Sequence, residues 1–194
     1  MYIAGTHPKW LLLGALGAAA FLLVYTRLMG YAGDRVTAWR HPELDPGDTG
    51  YQILQSLYAI GSGGLFGLGL GKSRQKYLYL PFQYNDYIFA IACEELGLVG
   101  AVGIMVLFAL LILRGFWIAR QAQTRFSTAL AAGLISLIAV QTILNLCVVT
   151  NLLPSTGIAL PFFSYGGTAL AVNLGEMGIV LNISRKRTIQ EANT

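Results

Sequence analysis

The feature that most constrains this chain is a stretch from residue 126 to residue 175 that contains no Asp, Glu, Lys or Arg. One membrane helix needs only about 20 apolar residues, and Pro154 and Pro161 interrupt the stretch. A soluble domain carries about 25% charged residues, whereas this chain of 194 residues has 11% charged and 55% hydrophobic residues. The sequence therefore predicts two membrane helices here and argues against a soluble globular domain or a disordered chain.

Four segments are long and apolar enough to cross a bilayer. They are predicted at about 10–29, 87–113, 127–150 and 166–184. All six prolines fall outside them, as expected where the backbone must satisfy its own hydrogen bonds. A signal peptide is the alternative for the first segment, but its apolar core exceeds the usual length of about 7–15 residues. The predicted fold class is an all-α integral membrane protein, with 1–194 as a single membrane domain.

Basic residues between the segments predict the orientation, because cytoplasmic loops are rich in Lys and Arg. The connection between the second and third segments and the start of the tail carry only basic charges. These residues are Arg114, Arg120, Arg125, Arg185, Lys186 and Arg187. Both termini are therefore predicted to be cytoplasmic, and the loop 30–85 and the turn 151–165 to lie outside. The net charge of +4 is interpreted as a topology signal and not as a nucleic-acid surface.

The predicted outer loop contains three distinct features. Residues 51–60 form an amphipathic pattern, with Ile53, Leu54 and Leu57 on one side, which predicts a short helix on the outer leaflet. Six glycines follow within 61–71, and they permit tight turns and close approach by a ligand.

Basic residues then alternate along the same loop, at Lys72, Arg74 and Lys76. In an extended backbone this spacing projects all three side chains to one side. They would contact anionic lipid headgroups, or they would hold the phosphates of a lipid-linked substrate. Spacing alone leaves both interpretations open.

Asp86 lies where the outer loop meets the second predicted segment. As a structural residue it would cap the helix, because Asp accepts hydrogen bonds from free backbone amides. As a functional residue it would be a carboxylate at the mouth of a membrane cavity, where partial burial raises the pKa toward that of a useful general base. The two roles are compatible, and the sequence leaves both open.

Three further carboxyl groups, those of Glu94, Glu95 and Glu176, are predicted to lie inside the hydrocarbon region. At about 1.5 Å and 100° per residue, the first two lie roughly 12 Å below Asp86 and on different sides of the helix. Ionisable groups at this depth are expected to face other helices, a hydrophilic cavity or a partner. Protonated carboxyls that hydrogen-bond between helices are the alternative.

Amides also occur within the predicted segments, at Gln141, Asn145 and Asn173. We interpret them first as hydrogen-bonding groups between helices. Cys93 and Cys147 have no metal-ligand spacing and are expected to be small apolar residues. The sequence therefore predicts no metal site.

The turn from Asn145 to Thr168, with its Pro154, Pro161 and Gly166-Gly167, resembles the signature of the SEDS family, which includes FtsW, RodA and SpoVE. Further blocks follow the order of that family, at 50–56, 59–67, 71–76, 79–81, 86–90 and 94–97. The ending 176–185 resembles the FtsW and SpoVE branch. Two departures are Asn151, where many members have Gly, and Asn85, where Thr is common.

The resemblance implies a peptidoglycan glycosyltransferase that polymerises lipid II outside the cell in division or sporulation, with release of undecaprenyl pyrophosphate. It implies that Asp86 is the general base for the acceptor sugar hydroxyl. It also implies a substrate-binding set formed by Lys72, Arg74, Lys76, Ser164, Gly166 and Gly167, in which the cations stabilise the leaving group. No cofactor is identified; a divalent cation could share the neutralisation of charge.

The resemblance also implies partners and a location. These are lipid II, undecaprenyl-linked glycan, a class B penicillin-binding transpeptidase and divisome proteins, in the bacterial cytoplasmic (inner) membrane. Two alternatives remain: a lipid II flippase that uses Glu94, Glu95 and Glu176, and a non-catalytic scaffold for the transpeptidase. The chain is expected to match the last four spans of a longer fold, and thus to be a fragment that is inactive alone.

Overall fold

The computed structural model describes residues 30–44, 49–73 and 86–191, together with scattered residues from 9 to 24 that are helical and exposed. Most of the first predicted membrane segment, 10–29, therefore lies outside the described residues, as do Arg74 and Lys76. The helices are α1 (Gly30–Arg40), α2 (Thr49–Gly63), α3 (Ile88–Arg120), α4 (Arg125–Val149) and α5 (Gly167–Glu191), with a 3-10 turn at Pro42–Leu44. Within the described residues there is no strand, so the predicted all-α class is confirmed there.

Two of the described helices, α3 and α4, are long and apolar enough to cross a membrane. They coincide with the second and third predicted segments, although α3 runs on to Arg120 instead of ending near 113. The fourth predicted segment, 166–184, forms most of α5. Thr124 begins α4 by accepting a hydrogen bond from the amide of Ser127 at 3.1 Å, as a good N-cap residue does.

The long helices pack through small residues. Gly115 of α3 lies against Ile135 of α4, and a Cβ at position 115 would be 2.3 Å from the Ile135 Cδ1 atom. Val180 of α5 is fully buried and joins the same cluster with Ile118. Close helix approach at small residues is typical of packing in membranes, where dispersion contacts replace the hydrophobic effect.

Helix α2 packs on the beginning of α3. Its buried side chains are Ile53, Ser56 and Ala59, each at most 1% exposed, and the Ser56 hydroxyl donates to the carbonyl oxygens of Ile53 and Val149. The predicted helix is thus present, but its buried face differs from the amphipathic face of the prediction. Small and polar side chains allow close approach here, so hydrophobicity alone did not identify the contact.

A break at Gly97 divides α3. Gly97 has φ 68° and ψ −169°, a conformation that essentially only glycine adopts. The part after the break, 98–120, rises roughly 35 Å at about 1.5 Å per residue. That length suffices to cross a hydrocarbon core about 30 Å thick.

The glycine-rich segment 64–69 fills this break by exchanging backbone hydrogen bonds with α3. Two amides of α3 donate to carbonyls of the segment, and two amides of the segment donate to carbonyls of α3. The pairs are Leu98 to Gly64 at 2.9 Å, Val99 to Leu65 at 3.2 Å, Leu68 to Glu94 at 3.0 Å and Gly69 to Glu95 at 3.0 Å. Part of the predicted loop 30–85 therefore hydrogen-bonds with the helix, and the backbone groups freed by the break are paired as burial requires.

Candidate functional site

Asp86 lies two residues before the start of α3 at Ile88, and its side chain is half-buried. Its Oδ2 atom faces the turn 151–165, where a Cβ built on Gly157 would be 3.6 Å from that oxygen. The N-cap position of α3 is occupied by Tyr87, which makes no side-chain capping bond. The structural interpretation of Asp86 as the N-cap is therefore wrong, because its carboxylate is directed toward the turn.

Burial raises the pKa of Asp86 above its ordinary value, since partial removal from water disfavours the charged form. A carboxylate with a raised pKa binds a proton more strongly when it is ionised. This is the property that general-base chemistry near neutral pH requires.

Asn145 of α4 connects the backbone at Asp86 with the turn. Its Nδ2 atom donates to the carbonyl oxygen of Asp86 and to that of Ile158, each at 2.8 Å. The sequence predicted that Asn145 would bond between helices, whereas the structure places both of its bonds on backbone outside the helices.

Two further side chains, both on helix α1, hold the turn. The Arg35 guanidinium donates to the carbonyl oxygen of Ser155 at 3.0 Å, and the Trp39 indole donates to that of Asn151 at 3.0 Å. The hydroxyls of Tyr87 and Ser155 are 3.4 Å apart. The loop and the turn that were both predicted to lie outside therefore contact each other at the end of α3 and α4 where Asp86 lies.

A cavity of about 480 Å³ lies beside the same turn, between α4 and α5. Its polar lining consists of Gln141, Ser164, Thr168, Asn173 and Glu176. Glu176 is 9% exposed, and its Oε2 atom has no hydrogen-bond partner in the part of the chain that the structure describes. Glu176 was expected to face other helices, a hydrophilic cavity or a partner, and the structure places it at this cavity.

The carboxyl groups of Glu94 and Glu95 do not line this cavity. Glu94 is 1% exposed, and its Oε2 atom accepts a 2.5 Å hydrogen bond from the buried Ser73 hydroxyl. Glu95 has a buried Oε1 atom that no described residue hydrogen-bonds. The contact of Glu94 favours a hydrogen-bonding role, and Ser73 was not predicted as its partner because the two lie on different elements.

The predicted substrate-binding residues fall in two places. Lys72 is exposed at the end of the glycine-rich segment, while Ser164, Gly166 and Gly167 lie where the turn enters α5. The Ser164 hydroxyl accepts a 2.8 Å hydrogen bond from the Leu160 amide, and the Gly166 carbonyl accepts one from Leu170 at 2.9 Å. These contacts shape the turn.

Sequence reasoning gave no separate role to Gly157, which lies on the turn facing the Asp86 carboxylate. Its φ of +70° belongs to the left-handed region that favours glycine, and its position after Pro154-Ser-Thr was the available signal. Among the described residues, no group of three or more His, Cys, Asp or Glu could hold a metal ion.

Known proteins resemble this chain over almost its whole length. The sequence profile of a family of cell cycle proteins, FtsW, RodA and SpoVE, matches residues 1–189. Stage V sporulation protein E of Bacillus subtilis is 46% identical over 187 residues, which cover 95% of this chain and 50% of that protein. A probable peptidoglycan glycosyltransferase FtsW of Geobacter sulfurreducens is 44% identical over 188 residues, covering 96% and 50%. The chain thus spans about half the length of these relatives.

Two solved structures are similar to this one. The first comes from work on the structural coordination of polymerization and crosslinking by a peptidoglycan synthase complex; it matches with a TM-score of 0.71 and 33% identity, over 93% of this chain and 50% of that one. The second is a crystal structure of an Asp-to-Ala variant of the Thermus thermophilus rod shape determining protein RodA. It matches with a TM-score of 0.53 and 34% identity, over 68% and 40%.

Proposed function

The chain belongs to the FtsW, RodA and SpoVE family, and from this membership we propose that it carries the outer catalytic site of a peptidoglycan glycosyltransferase that polymerises lipid II in division or sporulation. The observation that carries the proposal is the position of Asp86. Its half-buried carboxylate faces the turn at Gly157, at the end of the helices where both predicted outer segments meet.

In the proposed reaction Asp86 is the general base. Its carboxylate accepts the proton of the acceptor sugar hydroxyl as that oxygen attacks the anomeric carbon of the donor. The bond from this carbon to the pyrophosphate oxygen breaks, and undecaprenyl pyrophosphate leaves with the electron pair. The raised pKa of Asp86 suits this proton transfer.

The leaving group carries several negative charges and needs cations nearby. We assign this role to Lys72, Arg74 and Lys76, and substrate contacts to Ser164, Gly166 and Gly167. The exposed position of Lys72 on the outer loop is compatible with this role.

The proposed topology has four spans that match the last four of the family fold, in the bacterial inner membrane, with both termini cytoplasmic. The contacts of Arg35 and Trp39 with the turn support it, because both predicted outer segments must lie on one side. The 121–124 connection, which is flanked by Arg120 and Arg125, lies at the other end of the helices and suits the cytoplasmic side.

The proposed partners are lipid II, undecaprenyl-linked glycan, a class B penicillin-binding transpeptidase and other divisome proteins. A matching structure comes from work on polymerization and crosslinking by a peptidoglycan synthase complex, which supports a crosslinking partner for this chain as well.

The test uses a fusion in which this chain replaces the matching half of Stage V sporulation protein E from Bacillus subtilis. The fusion is reconstituted in liposomes with lipid II, and glycan strands, released undecaprenyl pyrophosphate and lipid II translocation are all measured. We expect muramidase-sensitive strands and pyrophosphate release. Translocation without strands would favour the flippase that Glu94, Glu95 and Glu176 would serve, and transpeptidase binding with neither activity would favour the scaffold.

A further inference from the structure

We propose that Asn145 is a positioning residue for the reaction, which sets the place of the Asp86 carboxylate by tying the backbone of Asp86 to the turn opposite it. The inference rests on the proposed function of Asp86. It adds a residue that does not touch substrate but acts through the catalytic carboxylate.

The geometry of Asn145 is specific. Both of its amide protons are used, one on the carbonyl oxygen of Asp86 and one on that of Ile158, each at 2.8 Å. Two carbonyl oxygens can only accept hydrogen bonds, so the nitrogen of the amide must face them. A single side-chain atom therefore fixes the separation of two backbone segments that come from different parts of the chain.

These two segments carry the groups that face each other at the site. One contains Asp86 itself, and the other contains Gly157, directly before Ile158. A Cβ on Gly157 would be 3.6 Å from the Oδ2 atom of Asp86. A change in the tie at Asn145 therefore alters the gap in which the Asp86 carboxylate lies.

The tie, which consists of the two hydrogen bonds from Asn145 to the carbonyl oxygens of Asp86 and Ile158, is separate from the other contacts of the turn. Arg35, Trp39 and Tyr87 hold the turn at Ser155 and Asn151, and none of these bonds reaches the Asp86 carbonyl. Asn145 is 1% exposed, and its Oδ1 atom has no hydrogen-bond partner among the described residues. An unpaired buried oxygen is unfavourable, so burial alone does not explain an amide at this position. The two hydrogen bonds that its nitrogen donates do explain it.

The test uses the fusion defined above with Asn145→Asp and Asn145→Leu, which retain a similar size and remove the amide donors. The matched control is Thr142→Val on the same helix. Thr142 is also buried, at 3% exposure, but among the described residues its hydroxyl bonds only the Ile138 carbonyl of its own helix. Asn145→Leu and Thr142→Val thus both remove a buried polar group, but only the Asn145 variants lose the two hydrogen bonds to the carbonyl oxygens of Asp86 and Ile158.

We expect kcat for lipid II polymerisation to fall about 10- to 100-fold in the Asn145 variants, with KM unchanged, because small misplacements of a catalytic group have effects of this size. Thr142→Val should keep the kcat of the parent. In an Asp86→Glu background, whose carboxylate is already displaced, Asn145→Leu should cost much less than in the parent. An unchanged kcat, or equal losses in the two backgrounds, would overturn the inference.

Folding and function are separated by two further measurements. If both variants are poorly folded, Asn145→Ser is used instead, because it keeps one donor. Hydrogen exchange at the amides near Asp86 and near Ile158 should then rise at both places together. A rise at neither place also overturns the inference. If Asp86→Asn itself keeps full activity, the proposed function fails. If Asp86→Asn is inactive while the Asn145 variants keep their kcat, only the positioning role fails.

Discussion

Replacing Gly97 by Ala should strongly destabilise the chain, because the break in α3 depends on this glycine. The conformation of Gly97, with φ 68° and ψ −169°, costs a residue with a Cβ about 1–3 kcal/mol. The added methyl group would also lie 2.3 Å from the Gly67 nitrogen and 2.6 Å from the Leu65 oxygen. Overpacking of this kind costs about 1–3 kcal/mol, so the total is about 2–6 kcal/mol.

The neighbouring atoms cannot move away cheaply. They are backbone atoms of the segment 64–69, whose four hydrogen bonds with α3 fill the break. At about 2–4 °C per kcal/mol for a chain of this size, a loss of only about 2 kcal/mol lowers Tm by roughly 4–8 °C.

The assay is thermal unfolding in detergent micelles, followed by the reaction of a maleimide dye with Cys93 and Cys147, which are buried and partly buried. The matched control is Gly103→Ala in the same helix, where a Cβ meets nothing within 4 Å. Ala is favoured over Gly in a helix by about 0.5–1 kcal/mol, so the control should be as stable as the parent or more stable. Equal Tm values for the Gly97 and Gly103 variants would refute the role of the break.

Three further predictions follow from the site. Asn151 has φ 57°, so Asn151→Gly should leave Tm nearly unchanged and Asn151→Ala should cost about 1–2 kcal/mol; equal Tm values would refute the backbone argument. Burial raises the pKa of Asp86 in the folded chain above its ordinary value in the unfolded chain. The protonated carboxyl therefore contributes stability at a pH below the ordinary pKa, and this contribution is lost as the pH rises through the raised pKa. Asp86→Asn should therefore raise Tm at pH 7, and a lowered Tm would contradict the burial argument. Purified 1–194 alone should make no glycan from lipid II under conditions where the fusion is active, and robust synthesis would refute this.

The long helices α3, α4 and α5 were predicted from their uncharged stretches, whereas α1, at Gly30–Arg40 within the predicted loop 30–85, was not predicted. Pro154 and Pro161 divided the uncharged stretch correctly, and α4 begins and ends within two residues of its predicted bounds. The break at Gly97 could not be found in this way, since hydropathy averaged over a segment does not show a local break in the backbone. Its hydrogen-bond partners lie about thirty residues earlier in the chain, and no local pattern reports a pairing over that distance.

The site was predictable only in part for the same reason. Asp86 was predicted as a carboxylate at the mouth of a membrane cavity, and Glu176 was expected to face other helices, a hydrophilic cavity or a partner. The Asn145 amide was expected to bond between helices. Instead it donates to the backbone of Asp86 and of Ile158 in the turn. Side-chain bonds to the backbone of a distant turn depend on the folded path of both segments, so spacing along one helix could not identify Gly157 or Ile158.

The most direct test of the catalytic role of Asp86 is the initial rate of lipid II polymerisation by the fusion carrying Asp86→Asn. Its control is Glu43→Gln, which removes an exposed carboxylate from the same predicted outer loop. A general base contributes about 10²- to 10⁴-fold to a rate, so Asp86→Asn should lower the rate at least about 100-fold while Glu43→Gln leaves it unchanged. A rate within about twofold of the parent for Asp86→Asn would contradict the role of this carboxylate as the general base.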